Sequence, residues 1–328
     1  MRLKPEYLKV IDDIKYARIF SSTETVLAGL RLLKKVVDDA ESIEELSFNL
    51  ATVVPLLFKA RPTSAMLLNS IKTFVSEIVK ASESGDLNYV KQHADVQLQK
   101  IERNILQLAE LTAKIASHRI NDGDTILTNS YSTIVLKAFK FAHHEGKKFK
   151  VYVTESRPGS EGLVLAAELA KMGLKITIFV DSAVRYMIKD VDNVFLSSEA
   201  IAANGALINK VGSSLIALAA SEARVRVFAL APTLKFSPET LLGELVVLAE
   251  GESSTILPEK LREEFGEKIK VRVPLFDVTP PEYIDAIITE RGLVAPQAVV
   301  MILKEIYGWP FQVITLDEIL EGLESWRK

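Results

Sequence analysis

Along the first third of the chain, apolar side chains return every three or four residues, the spacing of one face of an α-helix. Val26, Leu27, Leu30, Leu32, Leu33 and Val36 mark one such face. Ser42-Ile43-Glu44-Glu45 fits a capping box opening the next helix, which continues through Leu46, Leu50, Val53, Val54 and Leu57. Arg61-Pro62-Thr63 breaks that helix, because proline lacks the amide and restricts the residue before it. A long pattern from Tyr89 to about His118 puts Val96, Leu98, Ile101, Ile105, Leu106, Leu108 and Leu111 on one side. Such stripes must be buried against something, so residues 1–120 are expected to form an all-helical domain.

Asn121-Asp122-Gly123-Asp124 is a strong turn signal and marks the expected domain boundary. Beyond it the pattern changes to short β-rich runs at Thr125–Thr128, Lys150–Thr154, Lys175–Val180, Asn193–Leu196, Val225–Ala231 and Lys270–Leu275. Helical patterns such as Ser132–His144 and Leu163–Met172 separate most of them. Alternating strand and helix predicts an α/β domain over 121–328 with a mainly parallel, doubly wound sheet. Ligands of such sheets bind beyond the C-terminal ends of the strands. The tail, Asp317–Lys328, reads as a short helix or a frayed end.

Hydrophobic residues make up 48 % of the chain, enough for a sizeable core. A formal net charge of -3 without a long basic run argues against broad, direct nucleic-acid binding. There are no cysteines, which excludes disulfides, thiolate metal sites and a thiol nucleophile. The histidines, His93, His118, His143 and His144, do not fall at the spacing of a helical zinc site, so neither metal nor cofactor is expected. Met1–Asp12 lacks the apolar core of a signal peptide, and no uncharged run reaches the roughly 18 residues of a membrane span. A cytoplasmic protein without membrane contact is the expectation.

Candidate chemistry sits after the predicted strands. Asn204-Gly205-Ala206-Leu207-Ile208-Asn209-Lys210-Val211-Gly212-Ser213-Ser214 follows an apolar run and precedes an Ala/Leu-rich helix. Glycine permits close approach to a ligand, a helix N-terminus offers unpaired amides, and Lys210 adds charge, so the segment reads as an anion-binding corner. Thr128-Asn129-Ser130-Tyr131-Ser132-Thr133 could bind an anion or simply cap the next helix through Ser132. Arg157, in the Gly/Pro loop ending at Gly162, suits phosphate recognition or is a solvated turn residue. Asp181 and Arg185 are expected to pair at i,i+4. Glu199 is a carboxylate at a strand end, an acid or base if buried, or a charge favourable to a helix dipole. His143-His144 fits a helix end.

Four motifs carry a resemblance. Ile126-Leu127-Thr128, Val151-Tyr152-Val153-Thr154-Glu155-Ser156-Arg157-Pro158, Asn204–Gly212, and Phe276-Asp277-Val278-Thr279-Pro280-Pro281-Glu282-Tyr283 with Ile288-Thr289-Glu290-Arg291-Gly292 resemble the alpha/beta/delta subunits of translation initiation factor 2B and the related sugar-phosphate isomerases. The match runs from about Arg18 to Trp309 and leans toward the archaeal-type ribose-1,5-bisphosphate isomerase branch. It implies a helical domain on a Rossmann-like domain, and homodimers that assemble further into hexamers. It also implies ligand-binding roles for Arg18, Arg61, Thr128, Arg157, Gly162, Asn209 and Lys210.

The isomerases of this family rely on a Cys in a Thr-His-Cys cluster and an Asp in a Gly-Ala-Asp cluster; the matching positions here are Ser130 and Glu199. Tyr131-Ser132 and Glu199 match the non-enzymatic subunits instead. A free thiol titrates at about 8.5 and exchanges protons near neutrality, whereas an alcohol needs an adjacent base. Glu199 reaches one methylene further, and a displacement of about 1 Å costs on the order of a hundredfold in rate. The Arg-Gly-x-Gly turn of the isomerases is Arg18-Ile19-Phe20-Ser21 here, with both glycines gone.

The expectation drawn from these departures is a regulatory protein of the initiation-factor 2B type. It would bind a phosphorylated metabolite, a nucleotide or sugar phosphate, and components of translation initiation. The alternative is a sugar-phosphate isomerase of the ribose-1,5-bisphosphate class, an aldose–ketose enzyme in which Ser130 and Glu199 are the altered catalytic pair.

Overall fold

The computed structural model of the protein describes residues 3–324 except Ala17, Phe20 and Leu245, and not the side chain of Glu324. Met1, Phe20 of the Arg18–Ser21 stretch and residues 325–328 of the tail lie outside the described residues. The chain divides into two compact units, Met1–Ala109 with Leu303–Lys328, and Glu110–Ile302.

The first unit is helical: α1 (Pro5–Lys15), α2 (Ser22–Asp39), α3 (Ile43–Ala60), α4 (Ala65–Ser82) and most of α5 (Leu87–Ser117). Hydroxyl caps start three of these helices: Ser21 Oγ accepts the Glu24 amide, Ser42 Oγ the Glu45 amide and Ser64 Oγ the Leu67 amide. The capping box at Ser42 is half formed, since the Glu45 carboxylate accepts the Glu41 amide at 2.8 Å instead of the Ser42 amide. In α5 the buried stripe is Val90, Ala94, Ile101, Ile105, Ala109, Ala113 and Ala116. Val96, Leu106 and Leu111, expected on the packed side, face solvent. Alanines let neighbouring helices approach closely, so small side chains share the seam with Val90, Ile101 and Ile105.

The unit boundary falls inside α5 and not at Asn121, because the helix runs unbroken to Ser117 and the turn only ends it. The C-terminal segment is not frayed over its described residues. It forms a helix over Leu316–Glu324 that packs on α3 and α4, burying Ile319 and Leu323.

The second unit is α/β. A seven-stranded sheet has the order β11-β10-β7-β4-β1-β2-β3, with β1 (Thr125–Thr128), β2 (Lys150–Thr154), β3 (Lys175–Phe179), β4 (Asn193–Leu196), β7 (Arg226–Leu230) and β10 (Ala286–Thr289) parallel, and β11 (Gly292–Val294) antiparallel at one edge. Between them run α6 (Thr133–His144), α7 (Glu161–Lys171), the short α8 (Val184–Met187) and α9 (Ser213–Ala223). The remaining helices are α10 (Glu259–Phe265), α11 (Val299–Tyr307) and α12, the Leu316–Glu324 helix. Phe139 of α6 stacks on Phe195 of β4, which meets Phe228 of β7 edge-on at 5.9 Å, so the core lies beneath α6 at the centre of the sheet. His143 and His144 close the last turn of α6.

A second sheet, β8-β5-β6-β9, uses β5 (Ala200–Ala202), β6 (Leu207–Lys210), β8 (Phe236–Ser237) and β9 (Phe276–Thr279). Its central hairpin joins β5 to β6, so that Asn204–Lys210, read as an anion-binding corner, is the turn and second strand of that hairpin. Lys270–Leu275, expected as a strand, makes only a single bridge, Pro274 opposite Glu250. The bridge is held by the flanking bonds, Gly251 donating to the Val273 carbonyl and Leu275 to the Ala249 carbonyl, and pairing with β6 begins at Phe276.

Candidate functional site

The main sheet grows outward in both directions from β1: β2 and β3 on one side, β4, β7 and β10 on the other. The reversal of strand order lies between β1 and β4, where doubly wound sheets open a ligand crevice beyond the strand C-termini. Ser130 leaves β1 and Glu199 leaves β4 at this point. Both are nearly inaccessible, at 1 % and 5 % exposure.

Ser130 is held in left-handed backbone (φ 58°) and its amide donates to Ser156 Oγ at 2.7 Å. Ser156 is itself left-handed (φ 63°), and its hydroxyl also contacts the Thr154 carbonyl at the end of β2. The Asp181 carboxylate then accepts the Ser156 and Arg157 amides at 2.9 and 2.7 Å. This corrects the expected Asp181–Arg185 pair. Asp181 starts a 3-10 turn, where i,i+4 side chains do not stack, and Arg185 instead grips Glu222. The Arg157 side chain is exposed and donates to the Thr255 carbonyl at 2.8 Å. Ser132 caps α6 by accepting the Val135 amide, and Thr128 is fully buried.

Two of the glycines expected to admit a ligand, Gly162 and Gly205, are packed against the protein's own backbone, whereas Gly212 is not. A Cβ on Gly162 would lie 1.9 Å from the Thr154 carbonyl oxygen, so Gly162 sets the close approach of α7 to β2. A Cβ on Gly205, at φ +85°, would lie 2.3 Å from the Pro296 carbonyl oxygen. Two of the amides at the start of α9 are also taken: Gly212 and Ser214 donate to Asp277 Oδ2 at 2.8 and 3.1 Å. Burial pushes the Asp277 carboxyl up to about 6, against the pull of those two amides.

Asn209, on β6, belongs to a buried polar chain. Its amide nitrogen donates to Ser213 Oγ at 2.9 Å, its oxygen accepts from Ser197 Oγ at 3.0 Å, and Asn129 donates to the same Ser213 oxygen at 3.1 Å. Ser213 Oγ in turn donates to the Lys210 carbonyl. Thr128 Oγ1, Asn129 Oδ1 and Asp277 Oδ1 are buried with no hydrogen-bond partner among the described residues. They are polar atoms lining the strand ends with bonding capacity to spare. Lys210 Nζ is paired with Glu161 Oε1 at 2.6 Å and lies 5.3 Å from the centre of the Phe276 ring.

Of the sequence-expected residues, Thr128, Ser130, Arg157, Gly162, Glu199, Asn209 and Lys210 all belong to the α/β unit, at or beside the strand ends. Arg18 and Arg61 belong to the helical unit. There Arg18 pairs with Asp13 at 2.9 Å on the surface, and the buried Arg61 donates to Thr25 Oγ1 at 3.0 Å. Sequence reading missed Lys235, which follows β7 with only 2 % exposure and donates to the Ser198 carbonyl next to Glu199. A lone lysine inside the apolar run Phe228–Phe236 was its signal. It also missed Glu161 and Ser156, whose partners are distant in sequence. Among the described residues, no group of three or more His, Asp or Glu side chains is placed to hold a metal ion, and no helix is long and apolar enough to cross a membrane.

A Pyrococcus furiosus protein named ribose 1,5-bisphosphate isomerase is 36 % identical over 310 residues, covering 94 % of this chain and 96 % of the relative. A Methanocaldococcus jannaschii protein of the same name is 41 % identical over 256 residues, covering 77 % and 79 %. Among solved structures, the translation initiation factor eIF-2B of Pyrococcus horikoshii OT3 superposes with a TM-score of 0.78 at 26 % identity, covering 91 % of this chain and all of that one. The delta subunit of eIF-2B from A. fulgidus, at 22 % identity and a TM-score of 0.69 over 96 % of this chain and 91 % of that one, shares the fold. Residues 18–296 match the Initiation factor 2 subunit family, and the chain belongs to that family.

Proposed function

We propose that this chain is a sugar-phosphate isomerase of the ribose 1,5-bisphosphate class, acting at the crevice between β1 and β4. The observation that carries this reading is the placement of Ser130 and Glu199, both buried, on the two strands that flank the point where the sheet order reverses. Relatives carrying the isomerase name at 36 % and 41 % identity supply the substrate class.

Conversion of ribose 1,5-bisphosphate to its ketose isomer needs no oxidant: the C2 hydrogen moves to C1, the bond from C1 to the ring oxygen breaks, and the C2 hydroxyl proton ends on that freed oxygen. One base can take the carbon-bound hydrogen as a proton and return it to the neighbouring carbon, as a glutamate does beside a neutral, polarising histidine in triosephosphate isomerase, and the oxygen-bound proton then needs a second group, here the Ser130 hydroxyl, to relay it. The missing thiol therefore lowers the expected rate without removing the chemistry. Glu199 is the base in this reading, and Ser130 hydrogen-bonds a substrate oxygen. Phosphate is held by Lys210 and Arg157, with Thr128 and Asn209 lining the crevice.

The test is incubation of purified protein with ribose 1,5-bisphosphate and detection of the ketose bisphosphate. Glu199→Gln should lower turnover by roughly a hundredfold or more, the usual worth of a general base. Turnover unchanged in that variant removes Glu199 from the mechanism.

A second reading is favoured by Ser130 itself, an alcohol whose strained backbone is tied to Ser156 and whose neighbour is Asn129 where the isomerases' cluster has histidine. In it the chain binds a nucleotide or sugar phosphate without turnover and regulates translation initiation as a homo-oligomer. A thermal shift with ribose 1,5-bisphosphate but no ketose product would select this reading.

A further inference from the structure

Lys210 does not stand open to a ligand. Its ammonium is 2.6 Å from Glu161 Oε1, and the two side chains are only 18 % and 10 % exposed. The other cations at these strand ends are engaged by carbonyl oxygens, Arg157 by Thr255 and Lys235 by Ser198. Glu161 is the first residue of α7, and the turn before it is fixed by left-handed Ser156 and Ser160 and by the Ser160 amide donating to the Ser156 carbonyl at 2.8 Å. Its carboxylate folds back over Gly159. A Cβ there would lie 2.6 Å from the Glu161 carboxyl carbon, so the absence of a side chain at 159 leaves the room the carboxylate uses.

We infer that Glu161 is a specificity-determining residue: an internal counter-ion of Lys210 that an incoming phosphate must displace. This rests on the phosphate-binding part of the proposed function and not on turnover. A sugar hydroxyl cannot compete with a carboxylate for a largely buried ammonium, whereas a phosphate brings more charge and more acceptor oxygens. The pair therefore rejects unphosphorylated sugars and sets a threshold of anionic charge for entry, discrimination achieved through a group that opposes the wrong ligand. Displacement needs only the side-chain torsions of Glu161, because its backbone is fixed by the turn.

Calorimetric titration of ribose 1,5-bisphosphate, ribose 5-phosphate and ribose into the full chain tests this. Glu161→Gln should tighten both phosphorylated ligands by at least about fivefold, the lower end of ordinary couplings between sites. It should also make that binding more salt-sensitive, since Lys210 loses its internal screen. Gly159→Ala should act in the same direction. Its methyl pushes the carboxylate off Lys210 while keeping the charge, which covers the case in which the glutamine variant folds poorly. Lys210→Met should abolish the gain in a double variant with Glu161→Gln. A lowered melting temperature with unchanged affinities in both Glu161→Gln and Gly159→Ala makes the pair purely structural and overturns the inference. Binding of neither phosphorylated ligand by wild type or by either variant overturns the phosphate site itself, and is distinguishable from the first failure because wild type is then silent as well.

Discussion

The Asp277 carboxylate accepts the Gly212 amide at 2.8 Å, and with it closes the start of α9. A helix N-terminus that reads in sequence as an anion site is thus engaged at its Gly212 and Ser214 amides by an anion of the protein's own, brought from β9. The second carboxylate oxygen is buried without a partner among the described residues, and burial holds the group at about 6, above the ordinary aspartate value of 3.8. A carboxyl whose folded value is raised binds its proton more tightly when folded. Its contribution favours the folded state at low pH and is lost as pH rises from about 4 through about 6. The span corresponds to about 3 kcal/mol as an order of magnitude. Urea midpoints measured from pH 4 to 8 should therefore show wild type losing stability relative to Asp277→Asn as pH rises. A difference that is flat with pH would mean the carboxyl is not raised.

Gly162→Ala should be among the most damaging single-methyl changes in the chain. The added carbon meets a strand carbonyl at 1.9 Å, a backbone atom that cannot swing aside. Overpacking of this kind costs about 1–3 kcal/mol, or more when backbone must move. Denaturant unfolding measures it, and a variant as stable as wild type would show that α7 is not seated on β2 as described.

Ser156 separates backbone strain from hydrogen bonding. Both Ser156→Gly and Ser156→Ala remove the acceptor for the Ser130 amide, a loss of about 1–3 kcal/mol. Only alanine must also bear the left-handed conformation at φ 63°, so it should be the less stable of the two by about 1 kcal/mol. Equal stabilities would argue that the turn relaxes once the hydroxyl is gone.

The C-terminal helix should be structural. Leu323 has no exposed surface, its carbonyl accepts Ser47 Oγ of α3 at 2.5 Å, and Leu323→Ala should cost about 2–5 kcal/mol in thermal or chemical unfolding. A loss below about 1 kcal/mol would place the segment outside the cooperative unit.

Much of the fold was legible because it is written locally. β1, β2 and β4 lie where short β-rich runs placed them, and the Ser42 cap starts α3 as its pattern requires. The β5–β6 hairpin was not legible: strands of three and four residues carry too little alternation, and Asn204-Gly205 reads equally as a loop before a helix. The α5 stripe misled for another reason. Ile101 and Ile105 are buried as expected, but the rest of the seam runs largely through alanines, which a reading of large apolar residues passes over.

The sequence by itself determined the class of fold, the family, and which strand ends carry polar residues, because periodicity, turn residues and the run of motifs depend only on neighbours along the chain. Tertiary structure decided which charges are spoken for. Glu161 meets Lys210 across 49 positions, Asp181 meets Arg157 across 24, and Asp277 meets Gly212 across 65. Electrostatic and hydrogen-bond partnership is set by distance in space, and no local pattern encodes where a loop two strands away will place its carboxylate.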